Sequence, residues 1–267
     1  MPELLADDGV RLSYTDHGDP AGAPVVLLAG FKAPATSWRF QVPALVAAGY
    51  RVLAVDLRGH GLAERPDGQT MSRRAADVAN VLEHLGFERV ALVGGSMGGN
   101  TIWAYLDAYG AGRVTSVVIV DQTPKMLGEA GWPFGFYGYT PEVRDTYFAE
   151  RIPPTGHGTP MLRRGRRLVR LLAAMRGADG KLSSADLALL HDHATADWRG
   201  VIADSTLPIL FVAGAESEFW PAEHAEAAAS LTPTAESAVI PKDGHAANIE
   251  QPAAFNALLL DFLRRSA

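Results

Sequence analysis

One serine stands in a setting that suits nucleophilic chemistry. Ser96 lies in the run Gly94-Gly95-Ser96-Met97-Gly98-Gly99, directly after the strand-like stretch Arg89–Val93, and a helix-compatible stretch follows it. Small residues are needed where the backbones of a strand and a helix nearly touch, so this spacing predicts a tight strand-to-helix turn that exposes the serine hydroxyl. The positive N-terminal end of the following helix then faces the place where a developing oxyanion would lie.

A serine hydroxyl is a poor nucleophile at neutral pH and needs an adjacent base that a third group holds in place. Without such a base, the motif is only a glycine-rich turn with an incidental serine. Among the eight histidines we choose His245, because Lys242-Asp243-Gly244-His245 lies between a predicted strand and the last predicted helix. We interpret His60 as a turn residue and His157 as a loop residue. Four histidines in helix-like polar stretches are interpreted as surface or packing residues: His84, His191, His193 and His224.

The elements that must position these residues alternate between strands and helices. Apolar runs, typical of strands buried on both faces of a sheet, lie at 25–29, 51–55, 89–93, 114–120 and 208–213, with shorter strands at 4–5, 10–15 and 237–240. Helices are predicted at 41–48, from a cap at Ser72 to 85, near 223–230, and at the end, where Phe255, Leu258, Leu259 and Phe262 form one apolar stripe. Repeated strand–helix units predict a mostly parallel sheet with helices on both faces.

Functional sites in such sheets lie at the carboxyl ends of the strands. Five candidates directly follow predicted strands: Gly30–Phe31, Ser96, Asp121, Ala215–Glu218 and His245. Their shared placement predicts a single site at this edge of the sheet.

The alternation is interrupted between Gln122 and about Asp197, which predicts an insertion. Its aromatic residues either line an apolar pocket for substrate or only pack the insertion onto the core: Trp132, Phe134, Phe136 and Tyr137. Residues Met161–Arg176 are predicted to form one amphipathic helix, with Met161, Leu168, Val169, Leu172 and Met175 on one face and Arg163, Arg166, Arg167 and Arg170 on the other. We expect the arginines to form a solvated outer face; capture of an anionic substrate group is the alternative.

Composition excludes several classes of protein. The 267 residues suffice for one large domain, or for one domain with an inserted lobe. A formal net charge of −6 argues against general affinity for nucleic acid. The chain has no cysteine, which excludes disulfides, thiolate metal sites and a cysteine nucleophile. No apolar run approaches the ~18 residues needed to cross a bilayer, and no secretory signal is evident, so we expect a cytoplasmic protein without a membrane partner.

Four motifs, in order, resemble those of the α/β-hydrolase superfamily: Leu27-Leu28-Ala29-Gly30-Phe31, Asp56-Leu57-Arg58-Gly59-His60-Gly61, the serine turn, and Asp243-Gly244-His245 followed by Ile249-Glu250-Gln251-Pro252 and Phe255. The resemblance spans nearly the whole chain. It implies an α/β-hydrolase fold with a core of residues 1–121 and 198–267 and a helical cap of residues 122–197, inserted after the strand that ends at Asp121. It also implies that Ser96 is the nucleophile, that His245 is the base, and that the backbone N–H groups of Phe31 and Met97 form an oxyanion hole.

The position of the acid that would orient His245 departs from the family pattern. It usually follows the strand after the insertion, but Gly214-Ala215-Glu216-Ser217-Glu218-Phe219-Trp220-Pro221 has a serine where the aspartate belongs. Some members of the superfamily place the acid after the earlier strand, where this chain has Asp121. We therefore choose Asp121 as the acid. Glu216 and Glu218 remain alternatives, because each is one residue away from the usual position and has a longer side chain.

The resemblance implies a serine hydrolase that cleaves a small carboxylic ester or lactone through an acyl-enzyme, with no cofactor and no metal. Its partner would be a small molecule with an apolar part. The same residues also suit a carbon–carbon bond hydrolase or a cofactor-free oxygenase with His245 as base. A non-catalytic ligand-binding member of the fold is a third possibility, although such a protein has no chemical need for Ser96 and His245. The natural substrate and the oligomeric state are left open.

Overall fold

A computed structural model describes residues 1–176, 178 and 180–266. Over these residues the chain forms one sheet of eight strands, in the spatial order β1-β2-β4-β3-β5-β6-β7-β8. The strands are β1 (Glu3–Leu5), β2 (Arg11–His17), β3 (Pro24–Leu28), β4 (Arg51–Asp56), β5 (Val90–Gly95), β6 (Val114–Val120), β7 (Ile209–Gly214) and β8 (Ala235–Ile240). Strand β2 pairs antiparallel with β1 and β4, and the other neighbours pair parallel. The predicted, mostly parallel sheet is confirmed.

The α-helices of the described chain are α1 (Val42–Ala47), α2 (Met71–His84), α3 (Met97–Tyr109), α4 (Arg166–Ala174), α5 (Ser184–Thr195), α6 (Arg199–Ala203), α7 (His224–Ala229), α8 (Ala247–Glu250) and α9 (Pro252–Arg265). Short 3-10 turns lie at Ala35–Trp38, Pro141–Val143 and Met161–Arg163. None of the helices in these ranges combines the length and apolarity needed to cross a bilayer.

The sheet has a hydrophobic cluster on each face, because successive side chains of a strand point to opposite sides. In β3, Val26 and Leu28 join the cluster that includes residues of α2 and α3, while Val25 and Leu27 join the opposite cluster with residues of α1 and α9. The predicted stripe of α9 packs into this second cluster. Burial of both faces explains why the central strands are continuously apolar.

The start of α2 differs from the prediction. Its N-cap is Thr70, whose Oγ1 accepts the backbone N–H of Arg73 at 3.2 Å, so Ser72 lies inside the first turn. Both residues are good N-cap types, and the one that adopts an extended backbone conformation takes the role.

The single amphipathic helix predicted for Met161–Arg176 is wrong in its first half. A 3-10 turn, Met161–Arg163, is followed by Gly165 with φ of 53°, and α4 begins only at Arg166. The interruption turns the side chain of Arg164 inward, where it contacts the buried Glu250 and the partly buried Glu218.

Candidate active site

The turn between β5 and α3 holds Ser96 in a strained backbone conformation, with φ of 51° and ψ of −130°. The surrounding glycines permit this turn. A Cβ added to Gly94 would lie 2.5 Å from the backbone of Gly98, and one added to Gly98 would lie 2.2 Å from the carbonyl oxygen of Leu28. The glycine spacing is therefore required by close backbone contact. Met97, the first residue of α3, has a backbone N–H without an intrahelical acceptor.

Strain recurs around this edge of the sheet. The non-glycine residues with positive φ among those described are Lys32, Ser96, Asp121 and Lys242, with φ between 45° and 59°. They lie just beyond the carboxyl ends of β3, β5, β6 and β8, respectively. Strained backbone concentrates at functional sites because only a rigid surrounding structure can hold it. Nothing in the sequence pattern had indicated the strain at Lys32, Asp121 or Lys242.

Asp121 contacts the proposed base directly. Its Oδ2 lies 2.7 Å from Nδ1 of His245 and accepts a hydrogen bond from Oγ of Ser217 at 2.6 Å, while its Oδ1 accepts the backbone N–H of Gly214 at 2.9 Å. The side chain of Asp121 is fully buried. Ser217, at the position where the resemblance would place an aspartate, thus donates to Asp121. Sequence reasoning missed this contact.

A second histidine approaches the same carboxylate. His224 on α7 is buried, and its Nε2 lies 3.6 Å from Oδ1 of Asp121. Burial tends to raise the pKa of Asp121, but the contacts with His224 and His245 outweigh it and hold that pKa at about 2. Asp121 is therefore ionised at neutral pH and can compensate a positive charge on His245. The prediction of a surface or packing role for His224 overlooked this position beside the carboxylate.

The two alternative acids contact side chains of residues 122–197, the predicted cap, and do not contact the imidazole ring; this segment is called the cap below. Glu216 accepts hydrogen bonds from Thr159 and Arg167. Glu218 accepts from Arg164 and also from the backbone N–H of His245, at 2.7 Å. Asp121 is thus the carboxylate that contacts the His245 ring.

Ser96, Phe31, Met97 and His245 all line one cavity of about 330 Å³. Its remaining walls are mainly apolar, with aromatic rings from both the cap and the core: Phe136, Phe148, Phe219 and Trp220. Phe219 and Trp220 also pack their edges against the His245 ring, with centroid distances of 4.4 and 5.3 Å. The cavity is suited to an apolar group attached to the carbonyl that Ser96 would attack.

Of the four aromatic residues predicted to bind substrate, Phe136 lies in the cavity wall. Trp132 packs edge-on against Phe134 at 5.3 Å, and its indole Nε1 donates to Thr123. Tyr137 stacks on His157 with a centroid distance of 3.6 Å. Trp132, Phe134 and Tyr137 are not among the residues that line the cavity; their rings pack against neighbours in the cap, and the guanidinium of Arg199 also lies over the Trp132 ring.

The predicted solvated face of cap arginines is also wrong in part. Arg163 and Arg166 are exposed, but Nη1 of Arg167 donates to the carbonyl oxygen of Lys242 at 2.5 Å, and Nη1 of Arg170 donates to that of Glu250 at 2.6 Å. Val169 and Leu172, predicted on the apolar face, are each 66% exposed. Helix α4 is therefore rotated so that part of its basic face meets the core.

A salt bridge connects the loop that carries Phe31 to the cap. Nζ of Lys32 lies 2.9 Å from Oδ2 of Asp186 on α5, and both side chains are largely buried. On its other side, the ring of Phe31 packs against His60 at 6.3 Å, and burial lowers the pKa of His60 to about 3, so this imidazole is neutral. Among the described residues, no cluster of three or more histidine and carboxylate side chains suits a metal ion.

A buried carboxyl two residues before His245 gives a testable pH dependence. Burial, together with the charges of Glu250 and Asp121, raises the pKa of Asp243 to about 8, against an ordinary value of 3.8. Between these values the folded protein keeps a proton that the unfolded chain loses, so the free energy of unfolding falls as the pH rises. Asp243→Asn removes this titration, and we expect it to raise the Tm most near pH 8 and least near pH 4. Melting curves over this range, with the exposed Asp204→Asn as control, test this; an equal Tm difference at every pH would contradict it.

Comparison with known proteins identifies the fold family. The family described as alpha/beta hydrolase fold matches residues 23–252. The chain therefore belongs to the α/β-hydrolase fold family.

Individual relatives are enzymes of several kinds. The chain is 39% identical to a non-heme haloperoxidase from Rhodococcus erythropolis over 128 residues, which are 48% of this chain and 46% of the relative, so the match spans less than half of that protein. The crystal structure of a bromoperoxidase from Bacillus anthracis is similar with a TM-score of 0.79 and 28% identity, covering 98% of this chain and all of that one. An esterase from Rhodococcus sp. ECU1013 is similar with a TM-score of 0.70 and 25% identity, covering all of this chain and 99% of that one.

Proposed function

We propose that this protein is a serine hydrolase that cleaves a small carboxylic ester or lactone through an acyl-enzyme. The observation that carries the proposal is the distance of 2.7 Å between Nδ1 of His245 and Oδ2 of the buried, ionised Asp121. His245 and Ser96 line the same cavity. A histidine oriented by a carboxylate is the base that a serine nucleophile needs. The esterase among the relatives supports the same reaction class.

The first half of the reaction would form the acyl-enzyme. Nε2 of His245 takes the proton of the Ser96 hydroxyl as its oxygen attacks the carbonyl carbon of the ester. The resulting oxyanion lies at the N-terminus of α3, where the amides of Met97 and Phe31 donate to it; one such donor is typically worth about 3–4 kcal/mol in the transition state. Asp121 compensates the imidazolium, which then gives its proton to the leaving alcohol.

The second half would release the acid. Water enters the site vacated by the alcohol, His245 takes one of its protons, and the hydroxide oxygen attacks the acyl carbon. Collapse of the second oxyanion restores Ser96 as His245 returns the proton. Each step uses groups of the protein and water alone.

The cavity favours an uncharged, partly apolar substrate. Arg164 is a cation in its wall, but two of its nitrogens already donate to Glu250 and Glu218. A free carboxylate on the substrate would therefore meet no unneutralised cation at this position. Aromatic walls from Phe136 and Phe148 instead suit an alkyl or aryl acyl group.

A fluorophosphonate probe tests the proposal, because it reacts with a serine that has an oriented base and an oxyanion hole. We expect stoichiometric labelling of Ser96, no labelling of Ser96→Ala, and turnover within a panel of esters and lactones of increasing acyl length. Folded wild-type protein that binds an apolar ester but resists the probe would instead indicate a ligand-binding member of the fold.

A second candidate follows from the position of Asp121 after β6. The resemblance associates an acid at this position with some cofactor-free oxygenases, in which His245 would act as a base on the substrate itself. Such chemistry needs no covalent bond to Ser96. The two candidates therefore differ in whether the enzyme survives the loss of the serine hydroxyl.

A further inference from the structure

The cap reaches the catalytic loops through an arginine that is almost wholly buried. Arg164 follows the 3-10 turn of the cap, and only 3% of its side chain is exposed. Its Nη1 donates to Glu250 at 2.6 Å, its Nη2 donates to Glu218, and its Nε donates to the carbonyl of Thr159 at 2.9 Å. Glu250 is itself fully buried. Three different donor nitrogens are thus used in a water-poor setting, unlike in an exposed ion pair, which holds its partners only loosely.

Glu218 carries this contact to the base. While Oε1 accepts from Arg164, Oε2 accepts the backbone N–H of His245 at 2.7 Å. The next residue, Phe219, packs its ring edge against the imidazole. Asp121 orients the ring of His245, whereas Glu218 fixes the backbone from which that ring extends. Because the Glu218 carboxylate accepts from both Arg164 and His245, a displacement of Arg164 would be transmitted to the backbone of His245.

Two more arginines of the cap hold the chain on either side of His245. Arg167 donates to the carbonyl oxygen of Lys242, three residues before the base, and Arg170 donates to that of Glu250, five residues after it. The cap is thereby attached to the His245 loop at its beginning and, through Glu218, at its middle, and to the last residue of α8, the helix that follows the loop. These bonds use the backbone, so they constrain where the loop lies.

We propose that Arg164 is a positioning residue, which acts through Glu218 to place His245 and so makes catalytic geometry depend on the seating of the cap. The inference rests on the proposed serine hydrolase function, since it assigns His245 the role of base. It gives the cap a catalytic purpose in addition to enclosing the substrate. It also gives Glu218, which does not touch the imidazole nitrogens, a defined role.

The first test is Arg164→Met, which keeps an unbranched apolar side chain about as long as the aliphatic stem of arginine and removes its donors. We expect kcat to fall by about 100-fold, the loss that a shift of about 1 Å in a catalytic group produces, with KM little changed. The control is Arg163→Met, one residue away and exposed on the same turn, which should keep the wild-type kcat. Equal kcat values for both variants would overturn the proposal.

The second test separates positioning from stability, because Arg164→Met removes a cation from the partly buried Glu218 and leaves the buried Glu250 only Arg167, at 3.3 Å. In Glu218→Gln the single amide oxygen can still accept the N–H of His245, but the amide nitrogen then faces the donor Nη2 of Arg164, whereas Glu218→Leu has no acceptor at all. We expect Glu218→Leu to lose kcat about as severely as Arg164→Met, and Glu218→Gln to lose less. Adding Glu218→Gln to Arg164→Met should restore only part of the lost kcat, because the amide keeps an acceptor for His245 but no longer has Arg164 to hold it. Equal activity of Glu218→Leu and Glu218→Gln would overturn the role of this hydrogen bond.

Hydrogen exchange at the backbone amide of His245 provides a readout that needs no activity. Protection should be lost in Arg164→Met and Glu218→Leu, kept in Arg163→Met, and kept in part in Glu218→Gln. If wild-type protein neither reacts with the fluorophosphonate nor turns over an ester, the proposed function fails, while this exchange pattern still decides whether Arg164 holds the His245 loop. Unchanged protection in all four variants would refute that hold.

Discussion

Replacing Ser96 by alanine is expected to lower kcat for the best ester of the panel by about 10⁶-fold, the loss typical of removing a serine nucleophile. The hydroxyl would form the covalent intermediate, and no neighbouring group can replace it in that role. Steady-state assays test this, with wild-type and variant expressed and purified separately to avoid carry-over. Alanine meets the same unfavourable φ of 51° as serine, so the variant removes the oxygen without relieving the strain of the turn.

Ser37→Ala provides a matched control, since Ser37 is a second serine in the wall of the same cavity. It should leave kcat within a few-fold of wild type. If Ser96→Ala instead kept most of its activity while His245→Ala lost it, the reaction would not pass through an acyl-enzyme. That result would favour the alternative in which His245 acts as a base on the substrate.

The fold of the core follows from patterns that depend on local sequence and burial alone. The sequence predicts a strand at 114–120, the bounds that β6 has, because a strand covered on both faces is mostly apolar. The serine turn was equally predictable, since the close contacts of Gly94 and Gly98 admit no larger side chain. In both cases the requirement is steric or hydrophobic, and it leaves a direct trace in the sequence.

No comparable pattern in the sequence indicates the orientation of α4. An amphipathic pattern shows which residues share a face, but it does not show which face meets the core. Here Val169 and Leu172 face solvent, because Arg167 and Arg170 donate to backbone carbonyls of the His245 loop and of α8. Those acceptors are brought there by a loop distant in sequence, so the pairing is visible only in the folded chain.

The contacts of Asp121 could not be predicted from the sequence either. Asp121, Glu216 and Glu218 all follow strands that end at the same edge, and sequence alone could not tell which carboxylate points at the imidazole. The folded chain brings Ser217 and His224 to Asp121, from the β7 loop and from α7. In the sequence, Ser217 is notable only because it occupies the position of an expected aspartate. Its hydrogen bond to Asp121 gives a physical reason for a serine at this position.

Asp121→Asn is expected to lower kcat by about 10⁴-fold, because an amide in this position can favour the wrong tautomer of His245 and cannot compensate the imidazolium. The neighbouring donors would remain in place, so the variant should fold. Steady-state kinetics with the same ester measure the loss, and a thermal melt checks the fold. Glu216→Gln is the comparison variant, and it should stay within a few-fold of wild type, because Glu216 is bound by Thr159 and Arg167.

A carboxylate returned to position 217 would show that the charge, and not the position in the chain, is what His245 requires. Oγ of Ser217 lies 2.6 Å from the very oxygen of Asp121 that contacts the imidazole. The double variant Asp121→Asn with Ser217→Asp should therefore recover part of the kcat that Asp121→Asn loses. Ser217→Ala alone should lower kcat only modestly, because it removes one hydrogen-bond donor from Asp121. A loss of only a few-fold in Asp121→Asn, together with a large loss in Glu216→Gln, would move the role of acid to the β7 loop.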